Sequence, residues 1–153
     1  MKKIILNTLF SYILLFLCVS TVLAKEYGGE ITNFKIVKVR DGDTFIIDIP
    51  NIPAVFGSEI AVRIRGIDTP ELKDEREEIR KISIQAKEEL EKLLLNSNVE
   101  SGQKPNITLY NLGRDKYFRL LASVKVDNID IAEYMINKGL AKKYRSGAKD
   151  SWN

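Results

Sequence analysis

The chain has 153 residues, 44% of them hydrophobic and 29% charged, with a formal net charge of +3. It contains no histidine and one cysteine, Cys18. That composition excludes imidazole acid–base chemistry, the Ser-His-Asp triad and most zinc chemistry, and it leaves oxygen-liking ions such as calcium or magnesium as the metals to consider.

The first segment reads as an export signal. Lys2 and Lys3 precede an apolar run from Ile4 to Leu17, and Val22-Leu23-Ala24 gives a small-residue exit, so cleavage is expected after Ala24. The alternative is an uncleaved membrane anchor, since the stretch reaches the ~17–25 residues that a spanning helix needs. Asn7, Ser11, Ser20 and Thr21 dilute the stretch and favour cleavage. Leu17 stands where a lipid-attachment site at Cys18 would want a small residue, so a lipoprotein is not expected. Without residues 1–24 the chain has no cysteine, hence no disulfide and no thiolate metal site, and it is long enough for one domain with a core. Lys2 and Lys3 take two of the net charges with them, so a broad basic surface is not indicated.

Residues 25–33 are expected to be a flexible leader, and residues 34–153 a single domain. Phe34–Val39 alternates apolar and polar side chains as a half-buried strand does. Asp41-Gly42-Asp43 makes a turn into a second strand, Thr44–Ile49, and Asn51–Ser58 connects to a third, Glu59–Ile67. In that third strand Arg63, Arg65 and Ile67 are expected on one face, with Val62 and Ile64 on the other. Glu75–Asn96 is predicted helical, because Ile79, Ile82, Ala86, Leu90, Leu93 and Leu94 form one apolar stripe. After the polar loop Ser97–Pro105, strands are expected at Asn106–Asn111 and Arg119–Val126, joined by Leu112–Phe118. Leu120, Ala122, Val124 and Val126 should face the core. Asp127-Asn128 turns the chain into a short helix, Asp130–Lys138, with Asp130 as N-cap and Gly139 as its end. Three strands, a helix, two strands and a helix predict an α+β, mainly β fold, a five-stranded oligonucleotide-binding (OB-fold) barrel with packed helices.

Three strings carry candidate chemistry. Asp41-Gly42-Asp43-Thr44 is first of all a turn former, since Asp-Gly favours tight turns, but such a turn also presents carboxylate oxygens suited to calcium. Ile67-Asp68-Thr69-Pro70-Glu71 can begin a helical turn, with a cap, a proline and an early acid. An arginine-bearing strand delivers it, however. Arg63 and Arg119 are strand arginines of the kind often found solvated or salt-bridged, yet the planar guanidinium fork suits a phosphate. Two of them could neutralise charge building on a phosphorus centre.

The combined spacing of Asp41-Gly42-Asp43-Thr44, Arg63 ahead of Ile67-Asp68-Thr69-Pro70-Glu71, Asp115-Lys116-Tyr117-Phe118-Arg119 and Gly139-Leu140-Ala141 resembles the staphylococcal nuclease family, from about Phe34 to Tyr144. The resemblance implies an oligonucleotide-binding barrel and calcium-dependent cleavage of DNA and RNA. It implies Asp43 and Asp68 as carboxylate calcium ligands, Thr69 as a ligand through its carbonyl, and Asp41 as support behind them. Glu71 would be the general base, Arg63 and Arg119 the phosphate-binding arginines, Tyr117 and Tyr144 aromatic substrate contacts, and Lys116 a further phosphate contact. One departure stands out: the family usually has glycine where this chain has Phe118, so a positive φ there would strain the phenylalanine and could move Arg119.

The leading expectation is thus an exported, monomeric, calcium-dependent nuclease of low sequence specificity, acting on DNA and RNA. The alternative is a catalytically silent OB-fold nucleic-acid-binding module, which would typically have lost the acids and arginines kept here. A calcium-binding protein without a nucleic acid partner would leave the paired arginines unexplained.

Overall fold

The computed structural model describes residues 28–95, 104–145 and 151–152. The expected signal segment, Asn96 at the end of the long helix and residues 97–103 of the polar loop lie outside the described residues. Among the described residues no helix is long and apolar enough to cross a membrane.

Strands β1 (Lys35–Asp41), β2 (Thr44–Asp48) and β3 (Ile60–Ile64) form an antiparallel meander. β5 (Ile107–Arg114) and β6 (Leu120–Val126) form a hairpin, and β6 joins the meander by running parallel to β3. The order is β1-β2-β3-β6-β5, the five expected strands, with a short β7 (Ile129–Asp130) added to β6 as a sixth. β4 (Ile67–Asp68) and β8 (Lys142–Lys143) make a separate two-stranded ladder. Among the described residues no ladder joins β1 to β5. Ile31, in the stretch expected to be a leader, instead exchanges two backbone hydrogen bonds with Leu109 of β5 at 2.9 and 3.0 Å. Register shifts in β1 and between Tyr110 and Gly113 of β5 increase local twist and let a small sheet curl.

In β3 and β6 the core forms where alternation predicts, and β2 is buried on both faces. Phe45, Ile47, Val62, Ile64, Leu109, Ala122 and Val124 are fully buried or nearly so. Helix α2 (Glu77–Leu95) covers β1 with Ile79, Ser83, Ala86, Leu90 and Leu94, a spacing of three and four residues that keeps one stripe inward. Helix α3 (Ile131–Asn137) contributes Ile131 and Met135. The Asp130 side chain accepts the Glu133 N–H at 3.0 Å, and Gly139 takes φ +72 just beyond the helix, as its cap and stop residues require.

Three details differ from the sequence reading. The connection after β2 contains a helical turn, α1 (Ala54–Gly57). The expected third strand breaks at Arg65-Gly66, where Gly66 takes φ +84. That turn resets the alternation, so Ile67 enters the core instead of sharing a face with Arg63. The expected connection Leu112–Phe118 is strand as far as Arg114, which shortens it to a tight turn.

Candidate active site

Asp43 closes the β1–β2 hairpin, whose ends pair Asp41 with Thr44. Gly42 is required there by space. A Cβ at Gly42 would lie 2.6 Å from the Cβ of Ala86 and 3.0 Å from both Cγ2 and Oγ1 of Thr69. The bare glycine lets the turn sit directly against α2 and the Thr69 segment. Asp41 supports the turn by accepting the Asp43 N–H on Oδ1 at 3.2 Å, while Arg40 pairs with its Oδ2 at 3.1 Å.

The Asp43 carboxylate is then surrounded by donors. Its Oδ1 accepts from Thr44 Oγ1 at 3.0 Å. Its Oδ2 accepts the Thr69 N–H at 3.0 Å and Thr69 Oγ1 at 3.2 Å. Arg63 Nη2 lies 3.0 Å from Asp43 Oδ2 and 3.4 Å from Asp68 Oδ1, and its Nη1 donates to the Ile64 carbonyl at 2.8 Å. Exposure is 8% for Arg63, 7% for Asp43, 3% for Asp68 and 4% for Thr69. Three charged side chains withdrawn from water to this degree are costly unless paired. Here one guanidinium serves two carboxylates.

That imbalance bears on a metal. Burial pushes the Asp43 carboxyl up to about 6, Arg63 pulls it back, and the negative charge of Asp41 adds to the rise. Asp43 is therefore short of positive charge in its buried setting. The oxygens near that deficit are carboxylate, hydroxyl and carbonyl oxygens, hard donors that fit calcium. Among the described residues no three acidic side chains converge as a metal cluster, so the chain would offer Asp43, Asp68 and the Thr69 carbonyl and leave other places to water. Glu71 stands three residues past Asp68, exposed, with its carbonyl accepting the Asp74 N–H at 3.1 Å.

Arg119 enters from a second element. Leu120 and Leu121 pair with Val62 and Arg63 in the parallel β3–β6 ladder. Strand spacing then puts the Arg119 Cα roughly 8 Å from that of Arg63. Alternation puts Arg119 on the face of Leu121, opposite the buried Leu120 and Ala122. Asp115 holds it firmly. Oδ2 accepts Arg119 Nε at 2.7 Å, and Oδ1 accepts the backbone N–H groups of Arg119 at 3.0 Å and Tyr117 at 2.9 Å. Partial burial pushes the Asp115 carboxyl up, but these hydrogen bonds outweigh it and hold it below the usual carboxylate range.

Between Asp115 and Arg119 the loop Lys116-Tyr117-Phe118 closes β5 onto β6. The Phe118 N–H donates to the Asp115 carbonyl at 3.0 Å, and Phe118 takes φ +63. A three-residue hairpin loop commonly ends in such a left-handed residue, and glycine fills the place most cheaply. The backbone keeps that path despite the phenylalanine, and Arg119 stays on Asp115. Tyr117 is 67% exposed, with Lys116 Nζ 5.0 Å and the Arg119 guanidinium 5.6 Å from its ring centre. Tyr144 follows β8 and donates its N–H to the Gly66 carbonyl at 2.8 Å, which sets it beside the strand that bears Asp68.

The structure therefore brings Asp41, Asp43, Arg63, Asp68 and Thr69 into one cluster. It places Lys116, Tyr117 and Arg119 in a turn on the neighbouring strands. Sequence reasoning assigned no role to Thr44 or Asp115, and it read Gly42 as a turn former without the close packing that requires it. Thr44 and Asp115 lie inside the motifs, and their signal was that a buried carboxylate or an aimed arginine needs a partner.

These features define a small α+β domain with a buried acid–arginine cluster beside a basic, aromatic turn. Residues 61–152 match the family model of staphylococcal nuclease homologues, and the chain belongs to that family. A search of curated proteins finds no match. The family match begins within β3, so it contains Arg63, Asp68, Thr69, Glu71 and Arg119 but not the hairpin of Asp41 and Asp43. What ties that hairpin to the matched segment is the contact of Asp43 with Thr69 and Arg63. Family membership supports nuclease-type hydrolysis with nucleic acid as the substrate class.

Proposed function

We propose that this protein is an exported, monomeric, calcium-dependent nuclease that hydrolyses phosphodiester bonds of DNA and RNA with little sequence specificity, on an oligonucleotide-binding barrel. The observation that carries the reading is the sharing of one buried guanidinium, Arg63, by the two carboxylates Asp43 and Asp68. A buried site with more negative than positive charge suits a divalent cation. The Ile31–Leu109 bridge supports the barrel, since it links the approach of the first strand to the last strand in the sheet order.

In this reading Asp43, Asp68 and the Thr69 carbonyl hold calcium, and Asp41 steadies the Asp43 turn. When bound, calcium supplies a Lewis-acid charge beside the scissile phosphate. Glu71, exposed at the start of its turn, takes the proton of the attacking water. Arg63 and Arg119 donate to the phosphate oxygens and neutralise charge that grows as the bond to the leaving oxygen breaks. Lys116 adds a cation for a neighbouring phosphate, and Tyr117 and Tyr144 offer faces to bases without reading their identity. Residues 1–24 would direct export and be removed.

The test uses the chain from Lys25 onward with single-stranded DNA and RNA, in calcium and then in a chelator, beside Arg119→Ala. Cleavage is expected in calcium alone, with the variant slower by about 100-fold or more, the loss typical of removing one donor to a developing anion. Binding without cleavage in calcium would replace the enzyme with a silent OB-fold binding module. Cleavage that ignores the chelator would remove calcium from the account.

A further inference from the structure

Phe118 combines two properties that rarely meet. Its ring is 83% exposed, so it contributes little to the core, and its backbone takes φ +63, a conformation that bulky side chains avoid and glycine adopts freely. Among the described residues the phenylalanine gains no core packing. Glycine would close the same loop at lower cost. Backbone strain at a surface position is a reason to look for function at that position.

The surroundings of the ring say what it could bind. The loop is fastened at several points. The Phe118 carbonyl accepts from Arg114 Nη1 at 2.8 Å, its N–H donates to the Asp115 carbonyl, and Asp115 carries the N–H groups of Tyr117 and Arg119. Tyr117, next in the chain, is also exposed, and Lys116, Arg114 and Arg119 add positive charge around the pair. Two adjacent exposed aromatic rings on a rigid, cationic hairpin match how proteins hold unpaired bases and the phosphates that link them. A duplex keeps its base faces covered and offers such rings nothing to stack on.

We infer that Phe118 is a substrate-binding residue that stacks on an unpaired base next to the phosphate held by Arg119, and that it biases the protein towards single-stranded nucleic acid. The inference rests on the nucleic-acid reading of the site above and deepens it. Tyr117 and Phe118 form a double platform, with Phe118 kept at the tip by the left-handed turn at the expense of fold stability.

The experiment measures binding of labelled oligonucleotides to the full chain in chelator, so that no turnover intervenes. The strands are single-stranded DNA, single-stranded RNA, a DNA duplex and a single strand of abasic sites. Phe118→Gly is expected to weaken binding of at least one single strand by about ten-fold, within the range of one lost base stack. It should leave duplex and abasic binding unchanged and raise the thermal midpoint by a few degrees. Phe118→Trp should retain single-strand affinity, and Phe118→Leu, which keeps the backbone strain without the ring, should lose it. Phe118→Gly binding single strands as tightly as the unaltered chain would overturn the proposal and leave the nuclease reading standing. An equal loss on the abasic strand would overturn it too, because the ring would not be reading a base. If the unaltered chain binds none of the strands in chelator and cleaves none in calcium, the nucleic-acid reading itself fails and Phe118 falls with it; if it cleaves in calcium without binding in chelator, single strands cleaved as fast by Phe118→Gly as by the unaltered chain overturn the proposal.

Discussion

The two arginines at the centre of the site live in opposite surroundings. Arg63 is buried between Asp43 and Asp68, with its other Nη fixed on a backbone carbonyl. Arg119 sits at the mouth of a surface hairpin, held by Asp115 beside a tyrosine that is mostly in water. At Arg63 charge balance and fold stability are one problem, because removing the cation takes the guanidinium from two buried acids. At Arg119 the guanidinium is only partly buried, and its partner Asp115 also accepts two backbone N–H groups of the turn. The same side chain balances buried charge in one place and stands at the edge of solvent in the other.

The sharpest way to break this contrast is to truncate each arginine in turn. Arg63→Ala is expected to destabilise the chain by about 3–5 kcal/mol, the usual loss when one partner of a buried ion pair is removed. Arg119→Ala should cost less than about 1 kcal/mol, as for other partly exposed pairs. Urea unfolding of both variants measures the difference. Saturating calcium should return part of the Arg63→Ala loss, since a cation that binds only the folded state stabilises it. Equal losses for the two variants, or no response of Arg63→Ala to calcium, would show that the buried cluster is not short of positive charge.

A pair of opposite backbone changes sharpens the comparison. Gly42→Ala would drive a Cβ to within 2.6 Å of the Ala86 Cβ and should cost about 1–3 kcal/mol, the range for overpacking a core. Phe118→Gly runs the other way and should gain roughly 1–2 kcal/mol by relieving a left-handed residue. In the buried half of the site glycine is demanded by a neighbour. In the exposed half a larger residue stands where glycine would fit better. Thermal unfolding of the two variants should move in opposite directions, and Ala86→Gly added to Gly42→Ala should recover part of the loss.

Much of this was legible in the sequence, for reasons that are local. Alternation in Phe34–Val39 and Leu120–Val126 and the stripe through α2 marked the core elements, and Asp130 with Gly139 marked the ends of α3. The acids and arginines were legible as candidates because their spacing within the motifs is short and their chemistry narrow. The failures are non-local. Ile67 was placed on the face of Arg63 because alternation carries no sign of the extra turn at Arg65-Gly66, which moves it to the core. The two-residue strands β4 and β8 are too short to show a pattern, and they pair across more than seventy residues. The sharing of Arg63 by Asp43 and Asp68 depends on three separate elements meeting, which no single segment records. The position of Phe118 was flagged by its departure from the family's glycine, and the φ of +63 gives that departure its physical content.

The smallest expected change tests whether Asp115 aims Arg119 or merely builds the turn. Asp115→Asn keeps an Oδ1 to accept the N–H groups of Tyr117 and Arg119, so the hairpin should survive. It replaces Oδ2 with an NH2 facing the Nε–H of Arg119, setting two donors against each other and releasing the guanidinium. Stability should fall by no more than about 1 kcal/mol. In the unaltered chain the Asp115 carboxyl lies below its ordinary value of 3.8. Its contribution is therefore present above that pH and is lost as pH falls through the lower folded value; the variant should lack that part of the acid limb. If Asp115 aims Arg119, cleavage should drop about ten-fold in kcat with little change in KM, because an arginine that must find its own orientation stabilises the transition state less. A variant with weakened folding and an unchanged kcat would make Asp115 a turn residue, and the orientation of Arg119 would then have to come from the substrate.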